Sequence, residues 1–90
     1  MPTIKVPASM KFYVDDQSEF EVNGATVAEL LEDVVARYPA FRSHLFDAGG
    51  GLRRYFNIFV NGTHIRDLNG METPLQETDR VILMASAAGG

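Results

Sequence analysis

Apolar and polar residues alternate in the first part of the chain, as they do in β-strands that bury one face. Residues 3–6 and residues 19–22 each place an apolar side chain at every second position, and the polar cluster 15–18 between them is typical of a turn. The two stretches are therefore predicted to pair as a hairpin. Met10 and Phe12 lie on the connection between them, and we expect both side chains to belong to the core.

The pattern then changes to a helical period. Thr26 and Glu29 have the spacing of a capping box, in which each side chain satisfies a backbone N–H group of the other. Pro39 is predicted to end the helix, because the residue before a proline is displaced from helical conformation. Between these signals the apolar residues recur on one side: Val27, Leu30, Leu31, Val34, Val35 and Tyr38. A short helix is expected at 41–46, before a flexible glycine-rich loop.

The second half of the chain again reads as strands. Residues 55–60 are predicted to form a strand, and Asn61-Gly62 is the dipeptide most typical of a two-residue hairpin turn. Residues 63–66 then return as a short partner strand. Residues 80–85 are apolar on both faces, which predicts a strand at the centre of the sheet.

The order of these elements predicts the fold class. A hairpin, a crossover helix and two or three further strands give an α+β protein of the β-grasp, ubiquitin-like type. We expect a mixed sheet of four to five strands with one main helix on one face. Residues 1–85 are predicted to form a single domain and residues 86–90 a flexible C-terminal tail.

Composition narrows the classes of function. The net charge of −4 argues against binding to nucleic acid or to anionic membrane surfaces, since both require basic residues. No apolar run approaches the roughly 20 residues that span a bilayer, and the N-terminus has no signal-peptide pattern, so a cytoplasmic location is expected. The absence of cysteine excludes disulfides, thiolate metal sites and a β-grasp ferredoxin.

Candidate catalytic motifs are weak. Gly49-Gly50-Gly51 lacks the Gly-Lys-Ser/Thr ending of a phosphate-binding loop and is interpreted as a solvated loop. His44 and His64 have no partner at metal-ligand or catalytic spacing, and we expect both to be ordinary surface or half-buried residues. The sequence therefore predicts no enzyme, no bound metal and no bound cofactor, and we expect the isolated chain to be a monomer.

One face of the sheet is the candidate for a partner surface. Because side chains alternate along a strand, Tyr55, Asn57 and Phe59 are predicted to point away from the helix. Ile82 and Met84 should do the same on the last strand, so that Phe59, Ile82 and Met84 form an apolar patch. The alternative is cross-strand packing that only stiffens the sheet. Arg53 and Arg54 could hold an anion or an acidic partner, although a plain surface pair is the favoured interpretation; Arg54 is kept as a candidate partner contact.

The chain ends on Gly89-Gly90, shortly after the last predicted strand. Only Ser86, Ala87 and Ala88 separate the strand from this pair, and all three are small. Residues 86–90 extend to about 17 Å, which is long enough to pass down a tunnel to a buried nucleotide. Glycine allows the backbone to approach a partner closely because it has no side chain.

Three segments together resemble the MoaD/ThiS-type ubiquitin-like sulfur carriers: "GATVAELLEDVVARYP", "FNIFVNGTHIRDLNGMETPLQETDRVILM" and the terminal "AAGG". The resemblance covers nearly the whole chain. The length of the chain and its "GGGLRRYFNIFVNG" segment resemble carriers of the cysteine-biosynthesis type more than the shorter thiazole-type carriers. The resemblance implies that an E1-like enzyme uses ATP to adenylate the carboxylate of Gly90. Sulfide or a persulfide then displaces AMP, and the resulting thiocarboxylate donates its sulfur to a biosynthetic enzyme.

Two other interpretations fit the same residues. A ubiquitin-like modifier would have the same fold and tail but would be joined through Gly90 to lysines of other proteins. A β-grasp interaction module would bind partners without ever being activated. The resemblance leaves the sulfur acceptor open between a molybdopterin precursor, a thiazole, a cysteine precursor, tRNA and a secondary metabolite.

Overall fold

A five-stranded mixed sheet forms one layer of the molecule, and the main helix covers one of its faces. The computed structural model describes residues 1–86. Its strands lie in the order β2-β1-β5-β3-β4. They span Thr3–Lys5 (β1), Glu19–Glu21 (β2), Phe56–Val60 (β3), Thr63–His64 (β4) and Arg80–Ala85 (β5). The predicted α+β class and the central position of the last strand are confirmed.

β5 pairs with a neighbour on each side. It runs parallel to β1, with Ile4 opposite Val81, and antiparallel to β3, with Ile58 opposite Leu83. β1 pairs with β2 as the predicted antiparallel hairpin. The crossover that makes β1 and β5 parallel is the step that gives this sheet the β-grasp arrangement.

The main helix, α1 (Val27–Arg37), begins and ends where the sequence predicts. The Thr26 hydroxyl accepts a hydrogen bond from the Glu29 N–H (3.2 Å), and the Glu29 carboxylate accepts one from the Ala25 N–H (3.2 Å). The capping box is therefore present, with its return bond one residue earlier than in the standard form. A turn of 3-10 helix (Pro39–Phe41) and the short helix α2 (Arg42–Leu45) follow, close to the predicted 41–46.

The core lies between α1 and the sheet. The apolar side of α1 is fully buried against the inward residues of β1, β3 and β5, including Ile4, Ile58, Val81 and Leu83. The turn before α1 is tightly packed, because a Cβ atom added at Gly24 would lie only 2.5 Å from the backbone nitrogen of Leu30. The entry into α1 therefore depends on a residue without a side chain.

The prediction that Phe12 belongs to the core is wrong. Residues Ala8–Val14 form a 3-10 helix, in which positions three apart share a face. Met10 and Tyr13 pack against the core on one face, whereas Phe12 points away and is 84% exposed. Met10 is therefore partly buried as expected, and Phe12 is a surface residue.

The hairpin between β3 and β4 has the predicted turn. Asn61 (φ 49°) and Gly62 (φ 90°) both adopt positive φ, as the two central residues of a type I′ turn require. The Asn61 side chain accepts a hydrogen bond from the Arg80 N–H (2.9 Å), which ties the turn to the start of β5. β4 itself is shorter than the predicted 63–66, because the chain turns into a 3-10 helix at Ile65–Asp67.

Candidate functional site: the open sheet face and the end of β5

The sheet face opposite α1 carries the predicted apolar patch. Phe59 and Ile82 are directly opposite each other on β3 and β5, and Met84 is opposite Asn57. Phe59 and Ile82 are half-buried, and Met84 is 51% exposed. The structure thus brings these three apolar side chains together on one face, which we call the open face, while their sequence neighbours Ile58, Val81 and Leu83 are buried in the core.

Polar residues border the patch on its β1 and β2 side. Lys5 lies opposite Ile82 in the β1–β5 pairing, and Glu19 lies opposite Lys5 in the β1–β2 pairing. The Arg80 guanidinium forms an ion pair with the Glu19 carboxylate at 3.0 Å. Both side chains are substantially exposed, so this ion pair contributes little to the free energy of unfolding. It places charged groups next to the apolar patch.

A shallow groove continues the patch toward the end of β5. Its volume is about 400 Å³, and its walls are residues 5–8 on one side and residues 82–85 on the other. Pro7 and Ala8 contribute apolar surface beside Ile82 and Met84. The apolar region of the open face therefore extends from Phe59 to the last residues of β5.

Asn57 and His64 form a polar network on the same face that the sequence did not reveal. The His64 ring packs edge-on against Phe59, with ring centroids 5.1 Å apart. His64 Nε2 lies 3.1 Å from Asn57 Oδ1, and Asn57 Nδ2 donates a hydrogen bond to Ser86 Oγ at 3.0 Å. Strand alternation placed Asn57 on this face, but nothing in the residue order connects it to His64 or Ser86.

The end of β5 is fixed against the start of β3. Phe56 is opposite Ala85, and the Ser86 N–H donates a hydrogen bond to the Tyr55 carbonyl at 2.6 Å. Arg54 is exposed and precedes β3 by two residues, so it lies near the end of β5 rather than among the three apolar side chains of the patch. The predicted tail residues Ala87, Ala88, Gly89 and Gly90 lie outside the described residues.

The glycine-rich loop has the geometry of a self-contained turn. The Gly49 N–H (2.9 Å) and the Gly51 N–H (3.1 Å) both donate to Asp47 Oδ1. These amides are therefore used within the loop, which agrees with the interpretation of residues 49–51 as a solvated loop rather than a phosphate site.

Two further observations concern metals and membranes. Within residues 1–86, no three side chains of the metal-ligating types lie close enough together to hold an ion. Over the same part of the chain, neither helix has the length and apolar content needed to cross a bilayer.

Comparison with known proteins identifies relatives over nearly the full length. The sequence model of the ThiS family matches residues 4–90. The sulfur carrier protein CysO of Mycobacterium tuberculosis is 28% identical over 90 residues, which cover 98% of this chain and 97% of that protein. Small archaeal modifier protein 3 of Haloferax volcanii is 32% identical over 66 residues, which cover 73% of this chain and 71% of that protein.

A solved structure agrees with the sequence relatives. A chain in the crystal structure of the Amycolatopsis orientalis BexX/CysO complex matches with a TM-score of 0.88 at 27% identity, and the match covers 100% of both chains. The arrangement of helix and sheet described above is therefore shared with proteins of this group.

Proposed function

The chain belongs to the ThiS family, and on that premise we propose that it is a sulfur carrier that holds sulfur as a thiocarboxylate on Gly90. The observation that carries the proposal is the extent of the family match, which runs to Gly90 and so includes the terminal Gly-Gly pair. The likeness to a sulfur carrier protein over 98% of the chain supports the same function. Assignment to carriers of the cysteine-biosynthesis type is part of the proposal and rests on the sequence resemblance.

The proposed chemistry requires a partner enzyme. The carboxylate of Gly90 is ionised at neutral pH and is a poor electrophile. An E1-like enzyme would direct a carboxylate oxygen onto the α-phosphorus of ATP, so that an oxygen–phosphorus bond forms and pyrophosphate leaves. Sulfide then attacks the acyl carbon, the bond to AMP breaks, and a thiocarboxylate remains. ATP is a substrate of the partner enzyme in this scheme, and a separate biosynthetic enzyme accepts the sulfur.

The open face is the proposed docking surface for the activating enzyme. Fixing residues 87–90 of the predicted flexible tail in an active site would cost about 4–8 kcal/mol, at 1–2 kcal/mol per residue. Covering the remaining exposed area of Phe59, Ile82 and Met84 contributes about 2–5 kcal/mol, because these side chains are already half-buried. The patch therefore offsets only part of the cost, and contacts along the tail must supply the rest. Arg54, at the end of the sheet where β5 terminates, is proposed as an additional contact.

A ubiquitin-like modifier is the second candidate function. The 32% identity to small archaeal modifier protein 3 favours it specifically. In that case the amine of a target lysine would attack the acyl carbon of adenylated Gly90, an amide bond would form, and AMP and a proton would leave. The two functions share adenylation and differ in the product, so the mass of the native protein distinguishes them. A carrier is heavier by the difference between one sulfur and one oxygen atom, whereas a modifier appears as conjugates of higher mass.

The test of the proposal is to change Gly90. Deleting it moves the terminal carboxylate back by about 3.5 Å, and a misplacement of about 1 Å can already cost about 100-fold in rate. Gly90→Val instead adds a branched side chain where a channel shaped for bare backbone would exclude it. We expect both variants to lose ATP–pyrophosphate exchange with the cognate E1-like enzyme while they keep the melting temperature of the wild type.

Gly51→Val is the matched control, since it adds the same side chain in the loop after α2, where a Cβ meets only the Asp47 carboxylate at 3.8 Å. Normal exchange by the protein that lacks Gly90 would contradict both the carrier and the modifier, and absence of exchange by the wild type would leave the interaction module. A large fall in melting temperature on deletion would instead assign Gly90 a structural role.

A further inference from the structure

A chain of hydrogen bonds joins the short strand β4 to the residue that follows β5. His64 lies within 3.1 Å of Asn57, and Asn57 donates to Ser86 Oγ at 3.0 Å. We infer that Asn57, oriented by His64, is a positioning residue that fixes Ser86 and thereby the place from which residues 87–90 reach the activating enzyme. This inference rests on the proposed function, since it assigns a role in the adenylation of Gly90.

The hydrogen-bond roles follow from the surroundings of the imidazole ring. The Arg66 N–H donates to His64 Nδ1 at 3.1 Å, so Nδ1 acts as the acceptor. In a neutral imidazole the proton is then on Nε2, which donates to the carbonyl oxygen of the Asn57 side chain. That bond fixes the orientation of the amide, and its NH₂ group therefore faces the Ser86 hydroxyl. The Arg66 N–H thus determines the direction of the hydrogen bonds that connect His64, Asn57 and Ser86.

Ser86 is held at two points, by Asn57 of β3 and by Tyr55, the residue before this strand. Its N–H donates to the Tyr55 carbonyl at 2.6 Å, and its hydroxyl accepts from Asn57 at 3.0 Å. A single bond would allow the residue to rotate about that bond, whereas two bonds to different residues restrict both its position and its orientation. The conformational entropy of the first residue beyond β5 is therefore reduced before any partner binds.

The network also lies within the proposed docking surface. Asn57 is opposite Met84 on the neighbouring strand, and the His64 ring packs against Phe59. A protein that covers the open face would contact the residues around Asn57 without having to displace Ser86. Loss of the network should therefore affect the placement of the reacting carboxylate more than the affinity for the partner.

The first test measures the free protein and does not depend on any activity. Asn57→Leu removes both hydrogen bonds of the amide, and Ser86→Ala removes the acceptor while it keeps the backbone bond to Tyr55. We expect both variants to lower the ¹⁵N–¹H heteronuclear NOE of the residue-86 amide. Asn69→Leu is the matched control, because Asn69 is exposed and its side chain does not cap the 3-10 helix that follows it. An unchanged NOE in both variants overturns the inference.

The second test uses adenylation by the E1-like enzyme. Each variant should lower kcat about two- to tenfold, the range expected for one neutral hydrogen bond. Ser86→Ala should leave KM unchanged, whereas Asn57→Leu also alters the proposed docking surface and can change KM in addition. The double variant should be no slower than the slower single variant, since both changes break the same bond. Effects that multiply, or that appear only in KM, overturn the positioning role. If the wild type itself is not adenylated, the proposed function fails, and the NOE measurement still decides whether Asn57 fixes Ser86.

Discussion

Replacement of Gly24 by alanine should be among the most damaging small changes in this protein. The added Cβ would lie 2.5 Å from the nitrogen, 2.6 Å from the Cα and 2.9 Å from the Cβ of Leu30. All three distances are shorter than a non-bonded contact allows, and two of the atoms belong to the backbone of α1. Leu30 is fully buried, so the helix has little room to move away. We expect a loss of about 3 kcal/mol, at the upper end of the usual cost of overpacking.

The measurement is chemical and thermal denaturation of the purified variant. For a domain of this size, about 3 kcal/mol corresponds to a fall of about 15 °C in melting temperature. Gly51→Ala is the matched control, because its Cβ would meet only the Asp47 carboxylate oxygens at 3.8 Å, and its stability should stay within about 0.5 kcal/mol of the wild type. If Gly24→Ala is as stable as Gly51→Ala, the close approach of this turn to α1 is wrong.

Two further substitutions test the core and the open face. Leu31→Ala should cost about 2–5 kcal/mol in chemical denaturation, because Leu31 is fully buried, and a loss below about 0.5 kcal/mol would contradict the assigned phase of the helix. Phe59→Asp should leave the fold intact but lower the adenylation rate at subsaturating carrier, because it places a charge in an apolar contact. Thr63→Asp, at an exposed position of β4, is its control, and unfolding of Phe59→Asp would show that Phe59 is a core residue.

The elements with strong local signals could be predicted from the sequence. The helical period of α1 spans three turns, and its N-terminal cap is formed by Thr26 and Glu29 as expected. The turn at Asn61-Gly62 was predictable because few dipeptides adopt two successive positive φ angles. The continuous apolar character of β5 indicated a central strand, and the strand does pair with a neighbour at each edge.

The connection between β1 and β2 could not be predicted in the same way. Its apolar residues have no clear period, and a 3-10 helix follows a three-residue repeat that short segments do not reveal. Met10 and Phe12 were both expected to belong to the core. In the 3-10 conformation they point in different directions, and Phe12 is exposed as a result.

The candidate site likewise contains residues that could be predicted from the sequence and residues that could not. Phe59, Ile82 and Met84 were predictable because strand alternation and the order of strands determine their face. The network of His64, Asn57 and Ser86 was not, because it depends on where β4 ends and on the orientation of one amide. β4 ends at His64, and a 3-10 helix begins at the next residue. The Arg66 N–H of this helix donates a hydrogen bond to the imidazole and so fixes its orientation.

The proposed tail follows directly on β5, the central strand of the sheet. The β3 ladder pairs residues 81–85 and so reaches the end of β5 next to Ser86, whereas the β1 ladder pairs residues 80–82 and holds the beginning of the strand. Along β5 the buried residues Val81 and Leu83 alternate with Ile82 and Met84 of the open face. Changes at the first pair should therefore act on the free energy of unfolding, and changes at the second on partner binding. One strand thus joins the core to the proposed docking surface and the proposed reacting terminus, and whether a position faces the core or the open face decides which property a substitution should change.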